Sequence, residues 1–224
     1  VLIFSKTEGY RHDCIPAATD ALRKMCNANG IAVDTTEDAG AFHEANLKRY
    51  SAVIFLCTTG DVLNPAQETD FERYIQAGGG YVGIHSSTDT EYGWTWYGGL
   101  VGGYFNGHPA QQQATLQIND HNHPSTEHLP GNEWSRFDEW YNFKNLNPNV
   151  KVLLSLDEKS YQGGTNGDFH PAAWYHEYDG GRAFYTAGGH TKESYSEDLF
   201  MKHVLGGIRY AIGKNKRLDY SACR

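Results

Sequence analysis

Residues 78–89 constrain this chain more than any other stretch. Gly78-Gly79-Gly80-Tyr81-Val82-Gly83-Ile84 is apolar or small, and His85-Ser86-Ser87-Thr88-Asp89 follows without a gap. Such a stretch reads as a short strand buried on both faces that ends abruptly in a polar turn. Strands buried on both faces belong to parallel sheets covered by helices. Ligands bind at the carboxyl ends of the central strands in such sheets. A sharp strand-to-helix turn there presents one side chain to a pocket. The residue presented here is His85 or Ser86 rather than cysteine, which turns the expected chemistry away from a thiol nucleophile.

The flanking residues fit the same sheet. Val1–Ser5 is an apolar run, and Pro16 to Asn29 reads as a helix with Ala18, Leu22 and Met25 on one side and Gly30 closing it. Ile31–Thr35 reads as a strand and Asn46–Tyr50 as a helical turn. Ala52–Cys57 is continuously apolar, and Asn64-Pro65 is an N-cap followed by proline at the first helical position of a helix reaching Ala77. This βαβαβ order predicts parallel strands with right-handed crossovers and helices on both faces. The C-terminal half differs. Ala114–Asn119, Arg136–Phe143 and Val150–Leu156 read as strands with no helices between them. Ala172–Tyr178 and Arg182–Thr186 form a predicted hairpin around Asp179-Gly180-Gly181, and Asp198 to Ile212 is a last amphipathic helix. The expectation is an α/β fold, a doubly wound, mostly parallel sheet with an antiparallel β extension. At ~100–200 residues per domain, one domain spanning 1–224 is expected.

Composition excludes several classes. A formal charge of −8 disfavours nucleic acid and anionic membrane surfaces, which select basic patches. No apolar run reaches the ~18 residues of a membrane span, so no membrane insertion is expected. Cys14, Cys26, Cys57 and Cys223 form no C-x-x-C pair, which disfavours zinc knuckles and thioredoxin chemistry. Cys26 and Cys57 lie in apolar surroundings and read as buried thiols. Gly98-Gly99-Leu100-Val101-Gly102-Gly103 follows no strand, and no phosphate-loop pattern is present, so no nucleotide is expected. The chain opens directly in a strand, which suggests a removed leader and a periplasmic location, with the cytoplasm as the alternative.

Polar residues gather just past predicted strand ends. Arg11 and His12 follow the first strand, His85 to Asp89 follow the central one, and Gly188-Gly189-His190-Thr191 follow the last, with Tyr195 close behind. In a doubly wound sheet these ends line one edge. Neutral imidazole is the commonest ligand of zinc and similar metals, so His12, His85 and His190 with Asp89 or Glu139 could form a divalent-metal site. No H-E-x-x-H motif is present. Metal-free acid/base work by a histidine polarised by a carboxylate, and plain loop capping, are the other two readings. Trp94 and Trp140 read either as sugar-stacking walls or as packing. His121, His123 and His128 read as solvated, and His108 as part of a loop.

Taken together, Ser5-Lys6-Thr7-x-Gly9-Tyr10-Arg11-His12, Gly79-Gly80-Tyr81-Val82-Gly83-Ile84-His85, Asp138-Glu139-Trp140-Tyr141 and Gly188-Gly189-His190-Thr191 resemble the ThuA-like (trehalose utilisation) proteins. That family belongs to the class I glutamine amidotransferase-like superfamily, so the resemblance implies a flavodoxin-like sheet. The resemblance spans nearly the whole chain and implies bacterial carbohydrate catabolism. The expected activity is that of a hydrolase, lyase or isomerase acting on a disaccharide, a glycoside or a 3-keto-sugar. His12, His85, Glu139 and His190 match the family motif positions and are the catalytic candidates. Arg11, Ser86, Asp89, Trp94, Trp140, Tyr141 and Tyr195 are the candidates for sugar contacts. The chain departs from true amidotransferases in lacking the elbow cysteine and the later His-x-Glu pair, so glutamine hydrolysis is not expected. A non-catalytic sugar-binding or accessory protein is the competing reading. The expected partner is a small carbohydrate, with a homo-oligomer left open.

Overall fold

The structure, a computed structural model, describes residues 1–214 and 217–223. In chain order the strands are β1 (Leu2–Phe4), β2 (Asp34–Thr36), β3 (Ala52–Leu56), β4 (Gly80–Ile84), β5 (Tyr104–Phe105), β6 (Gln112–Ile118), β7 (Glu133–Asp138), β8 (Phe143–Lys144), β9 (Lys151–Leu156), β10 (Pro171–Tyr178) and β11 (Gly181–Thr186). The α-helices are α1 (Ile15–Ala28), α2 (Glu44–Leu47), α3 (Pro65–Gln76), α4 (Thr95–Val101) and α5 (Asp198–Ile212).

Nine strands form one sheet in the order β2-β1-β3-β4-β11-β10-β9-β6-β7. The pairs from β2 to β11 are parallel, and those from β11 to β7 are antiparallel. The parallel half has the flavodoxin-like order, as expected, and the antiparallel extension continues the same sheet. The β10–β11 hairpin turns at Asp179 and Gly180, both with positive φ (43° and 95°). That pair of left-handed residues suits the right-handed twist of the flanking strands.

Local sequence explains the helices. In α1, Ile15, Ala18, Leu22 and Cys26 are buried at a spacing of three to four residues, and Pro16 sits in the first turn. Helix α3 starts on a capping box between Asn64 and Gln67. Helix α5 packs close against β4 and β11 through small residues. A Cβ at Gly207 would collide with the Phe184 ring, and one at Gly206 with the Pro124 backbone. Tyr185, the next residue along β11, faces the opposite side of the sheet and packs on Trp174 and Phe143. On that side Phe4, Phe42, Phe55, Phe71 and Tyr81 make a continuous aromatic core under α3.

Four sequence expectations need correction. The second strand begins at Asp34, not Ile31, because Ile31 N still bonds Cys26 O at the end of α1. The helical turn expected at Asn46–Tyr50 starts earlier, as α2 over Glu44–Leu47. The strand expected over Arg136–Phe143 stops at Asp138, whose own carboxylate accepts the Glu139 amide and diverts the chain from the ladder. His123 is buried rather than solvated, packed against the Tyr175 and Tyr210 rings with Nδ1 bonded to Ser125 Oγ. No helix among the described residues is long and apolar enough to cross a membrane.

Candidate active site

The sheet edge formed by the carboxyl ends of β1, β3, β4 and β11 carries the polar cluster. Its loops are tied together by hydrogen bonds to backbone carbonyls. Glu8 N bonds Thr59 O at 2.8 Å, Thr59 Oγ1 bonds Tyr10 O at 2.9 Å, and Gly60 N bonds Asp89 O at 2.9 Å. Both central strands end on a non-glycine residue in the left-handed region, Cys57 with φ 49° after β3 and His85 with φ 53° after β4. That conformation costs an L-residue roughly 1–2 kcal/mol, and such strain concentrates at functional sites. At His85 it turns the chain out of β4 into a 3₁₀ turn over His85–Asp89 and leaves the imidazole at the strand end.

Three imidazoles and one carboxylate converge there. His85 Nε2 lies 3.1 Å from His190 Nδ1 and 3.5 Å from Glu139 Oε2, and His190 Nδ1 lies 3.0 Å from the same oxygen. One ligand atom from each of His12, His85, Glu139 and His190 falls within 4.8 Å of the others. The His12 ring stands edge-on to both His85 and His190, at 4.8 and 5.1 Å. His85 Nδ1 donates to the Ala187 carbonyl at 2.8 Å. That bond fixes the tautomer, so the lone pair of the neutral ring sits on Nε2 and faces the cluster.

Buried Asp138 organises the far side. Its carboxylate accepts from Gly189 N at 2.8 Å, His190 N at 3.0 Å, Glu139 N at 2.9 Å and Ser194 Oγ at 3.1 Å, and it pairs with Arg136 at 2.9 Å. One side chain thus positions both His190 and Glu139. Tyr195 supports the same loop by donating to Gly189 O at 2.9 Å.

Electrostatics follow from this burial. Desolvation, reinforced by His85 and His190, lowers the His12 pKa to about 3 and keeps that ring neutral. Burial alone would raise the Glu139 pKa, but hydrogen bonds from His190 and His85 outweigh it and hold the carboxyl below its ordinary range. His190 is the converse case. Burial lowers its pKa, and the Glu139 carboxylate more than compensates, so the net shift is upward. Asp89 is raised, chiefly by burial.

Above the cluster lies a cavity of about 440 Å³ whose lining includes Tyr10, His12, Asp89, His108, Tyr141 and His190. This volume lies within the range of small-molecule sites. Of the residues singled out in the sequence, His12, Asp89, Glu139, Tyr141 and His190 line it, and His85 lies beneath, its ring tilted against Tyr141 at 4.3 Å. Ser86 is buried behind His12, its Oγ 3.4 Å from Nδ1. The structure does not bring Arg11, Trp94, Trp140 or Tyr195 to the cavity wall. Arg11 pairs with Glu37 on the surface at 2.7 Å. Trp94 is packed on Trp96 and Tyr97 with Nε1 bonded to Glu72, and Trp140 is buried with Nε1 donating to Gln112 O. The packing alternative therefore describes both tryptophans. His108 was missed: its Nδ1 lies 3.2 Å from Glu139 Oε1, and its ring stacks on Tyr141. Nothing in the loop sequence around His108-Pro109 marks it beyond the histidine itself.

The family model for trehalose utilisation, ThuA, matches residues 1–211. The chain belongs to the ThuA family. Solved structures similar to this ThuA protein include a ThuA-like protein from Bacteroides uniformis, with 24% identity, a TM-score of 0.81, and coverage of 98% of this chain and 94% of that one. A second, from Parabacteroides merdae, has 19% identity, a TM-score of 0.77, and coverage of 95% and 90%. A beta-galactosidase from Bacillus circulans shares the fold at 14% identity and a TM-score of 0.58, over 94% of this chain and 30% of that one. No curated protein matches the chain. Membership places the ThuA protein in carbohydrate metabolism.

Proposed function

We propose that this protein is a sugar-processing enzyme that holds a divalent transition metal on His12, His85, Glu139 and His190 and acts on a glycoside or keto-sugar as a hydrolase, lyase or isomerase. One observation carries the reading: four ligand atoms from four different loops lie within 4.8 Å of one another beneath a cavity large enough for a sugar ring. The donor set suits zinc or a similar ion, which favours imidazole with carboxylate. His12 is neutral, and His85 presents Nε2 because Nδ1 is engaged by Ala187 O. When bound, such an ion supplies Lewis-acid polarisation of a sugar carbonyl or hydroxyl oxygen.

The chain's own groups supply the rest. Asp138 fixes the loop that carries His190. Glu139, held ionised, stays anionic across the neutral range. His108 is the half-exposed imidazole at the cavity mouth, in contact with Glu139 Oε1, and is the group placed to exchange a proton between substrate and solvent. Tyr141 and Phe105 form the apolar wall against which a ring can lie.

The test is metal content of the purified protein by mass spectrometry, with turnover of 3-keto-trehalose measured with and without chelator. Near-stoichiometric metal is expected. Metal affinity should fall roughly 100-fold or more in His85→Ala and His190→Ala, and turnover should be lost with it. Full turnover with no metal bound after incubation with zinc, manganese, iron and nickel would move the chemistry to the Glu139–His190 pair alone. Saturable sugar binding without turnover of any bound sugar would establish the accessory reading.

A further inference from the structure

A second groove opens beside the cavity, across the outer edge of β6 and β7, with a volume of about 680 Å³. Gln111 lines both spaces, and Thr191, next to His190, lines the groove. Phe137 stands in it with 52% of its surface exposed. The exposed face of this strand pair is otherwise a ladder of polar partners. Thr115 bonds Ser135 at 3.1 Å, and Gln117 bonds Glu133 at 3.0 Å. The next rung, Gln113 opposite Phe137, breaks the pattern. Among the described residues neither the Gln113 nor the Gln111 side-chain amide has a hydrogen-bond partner. An aromatic face flanked by free amides offers both the apolar and the hydrogen-bonding surface that a pyranose ring presents.

We propose that this groove is a second subsite, which takes, unphosphorylated, the ring or aglycone beyond the one held over the histidines. Phe137 is the stacking platform, and Gln111 and Gln113 bond hydroxyl groups. The charge argues against a phosphorylated ligand. Arg136, the one cationic side chain lining the groove, already pairs with Asp138 and with Glu197 at 3.0 Å, and Glu193 adds a further negative charge. The inference rests on the proposed sugar-processing function.

Calorimetry on the full-length, zinc-loaded protein tests it, with glucose, trehalose and trehalose 6-phosphate as probes. Trehalose should bind about tenfold or more tighter than glucose, and its phosphate no tighter than trehalose. Phe137→Ala should weaken trehalose about tenfold and leave glucose unchanged, with Phe137→Trp restoring the affinity. The exposed position of Phe137 makes a folding defect a poor explanation, and an unchanged melting temperature checks this. Equal affinities for glucose and trehalose, or a Phe137→Ala variant that affects neither or both alike, would overturn the second subsite while leaving the first intact. Failure of these probes and of 3-keto-trehalose alike to bind would overturn the sugar-processing reading, and this inference with it.

Discussion

At the residue scale, Glu139 and His190 set each other's charge. The raised His190 pKa contributes stability that is complete below the ordinary value of 6.5 and is lost as pH rises through the folded value. The lowered Glu139 pKa contributes stability present above its ordinary value of 4.5 and lost as pH falls through the folded value. Without metal, the pair therefore stabilises the protein most between about pH 4.5 and 6.5. His12 acts the other way, since it stays neutral in the fold while the unfolded chain protonates below 6.5. The comparison that tests the pair is wild type against Glu139→Gln, both in chelator. The gap in melting temperature should be widest near about pH 5.5 and should narrow towards pH 9. A gap that widens with rising pH would exclude a protonated His190 beside Glu139.

At the scale of elements, the site is held where the antiparallel extension returns to the parallel half. In sheet order β7 lies five places from β4, yet Asp138 at its end bonds the loop after β11. The extension must curl for this to happen, as twisted sheets do. It wraps over α5, with Trp134 against His203 and Arg136 over the Phe200 ring. Removing the buried carboxylate leaves Arg136 with Glu197 as its one remaining ion-pair partner and strands three backbone amides. Asp138→Ala should therefore cost about 3–5 kcal/mol, the range for breaking a buried ion pair, and should abolish metal binding. Denaturant titration and metal analysis check this. Asp138→Asn, which keeps an acceptor for some of the amides, should fall between the two. An Asp138→Ala variant with wild-type stability and metal content would show that the contact does not organise the site.

For the whole molecule, the four site groups come from the loops after β1, β4, β7 and β11, so an ion bound there cross-links both halves of the sheet. Binding to the folded state alone stabilises it by about 4 kcal/mol at 1,000 times the dissociation constant. In a chain of this length that corresponds to roughly 8–16 °C in melting temperature. Scanning calorimetry with zinc and with chelator should show this difference in wild type and none in His85→Ala/His190→Ala. Equal shifts in both would place the ion elsewhere.

Sequence by itself determined the parallel half of the sheet. Val1–Phe4, Ala52–Leu56 and Gly80–Ile84 are apolar on both faces, and the helix between Asn64 and Ala77 carries its own cap. These are local signals, set by burial and by backbone groups a few residues apart. Once the strands are parallel, His12, His85 and His190 must share an edge, because each lies just past a carboxyl end. Tertiary structure alone decided the rest. Glu139 looked like a residue within a strand, and only the capture of its amide by Asp138 turns it inward. Trp94 and Trp140 had the composition of a sugar wall, but each finds a hydrogen-bond acceptor in the packed interior. His108 joins the site because the loop after β5 folds over Tyr141. Each of these outcomes depends on how far the extension curls, a sum of small twists over six strands that no short stretch of sequence encodes.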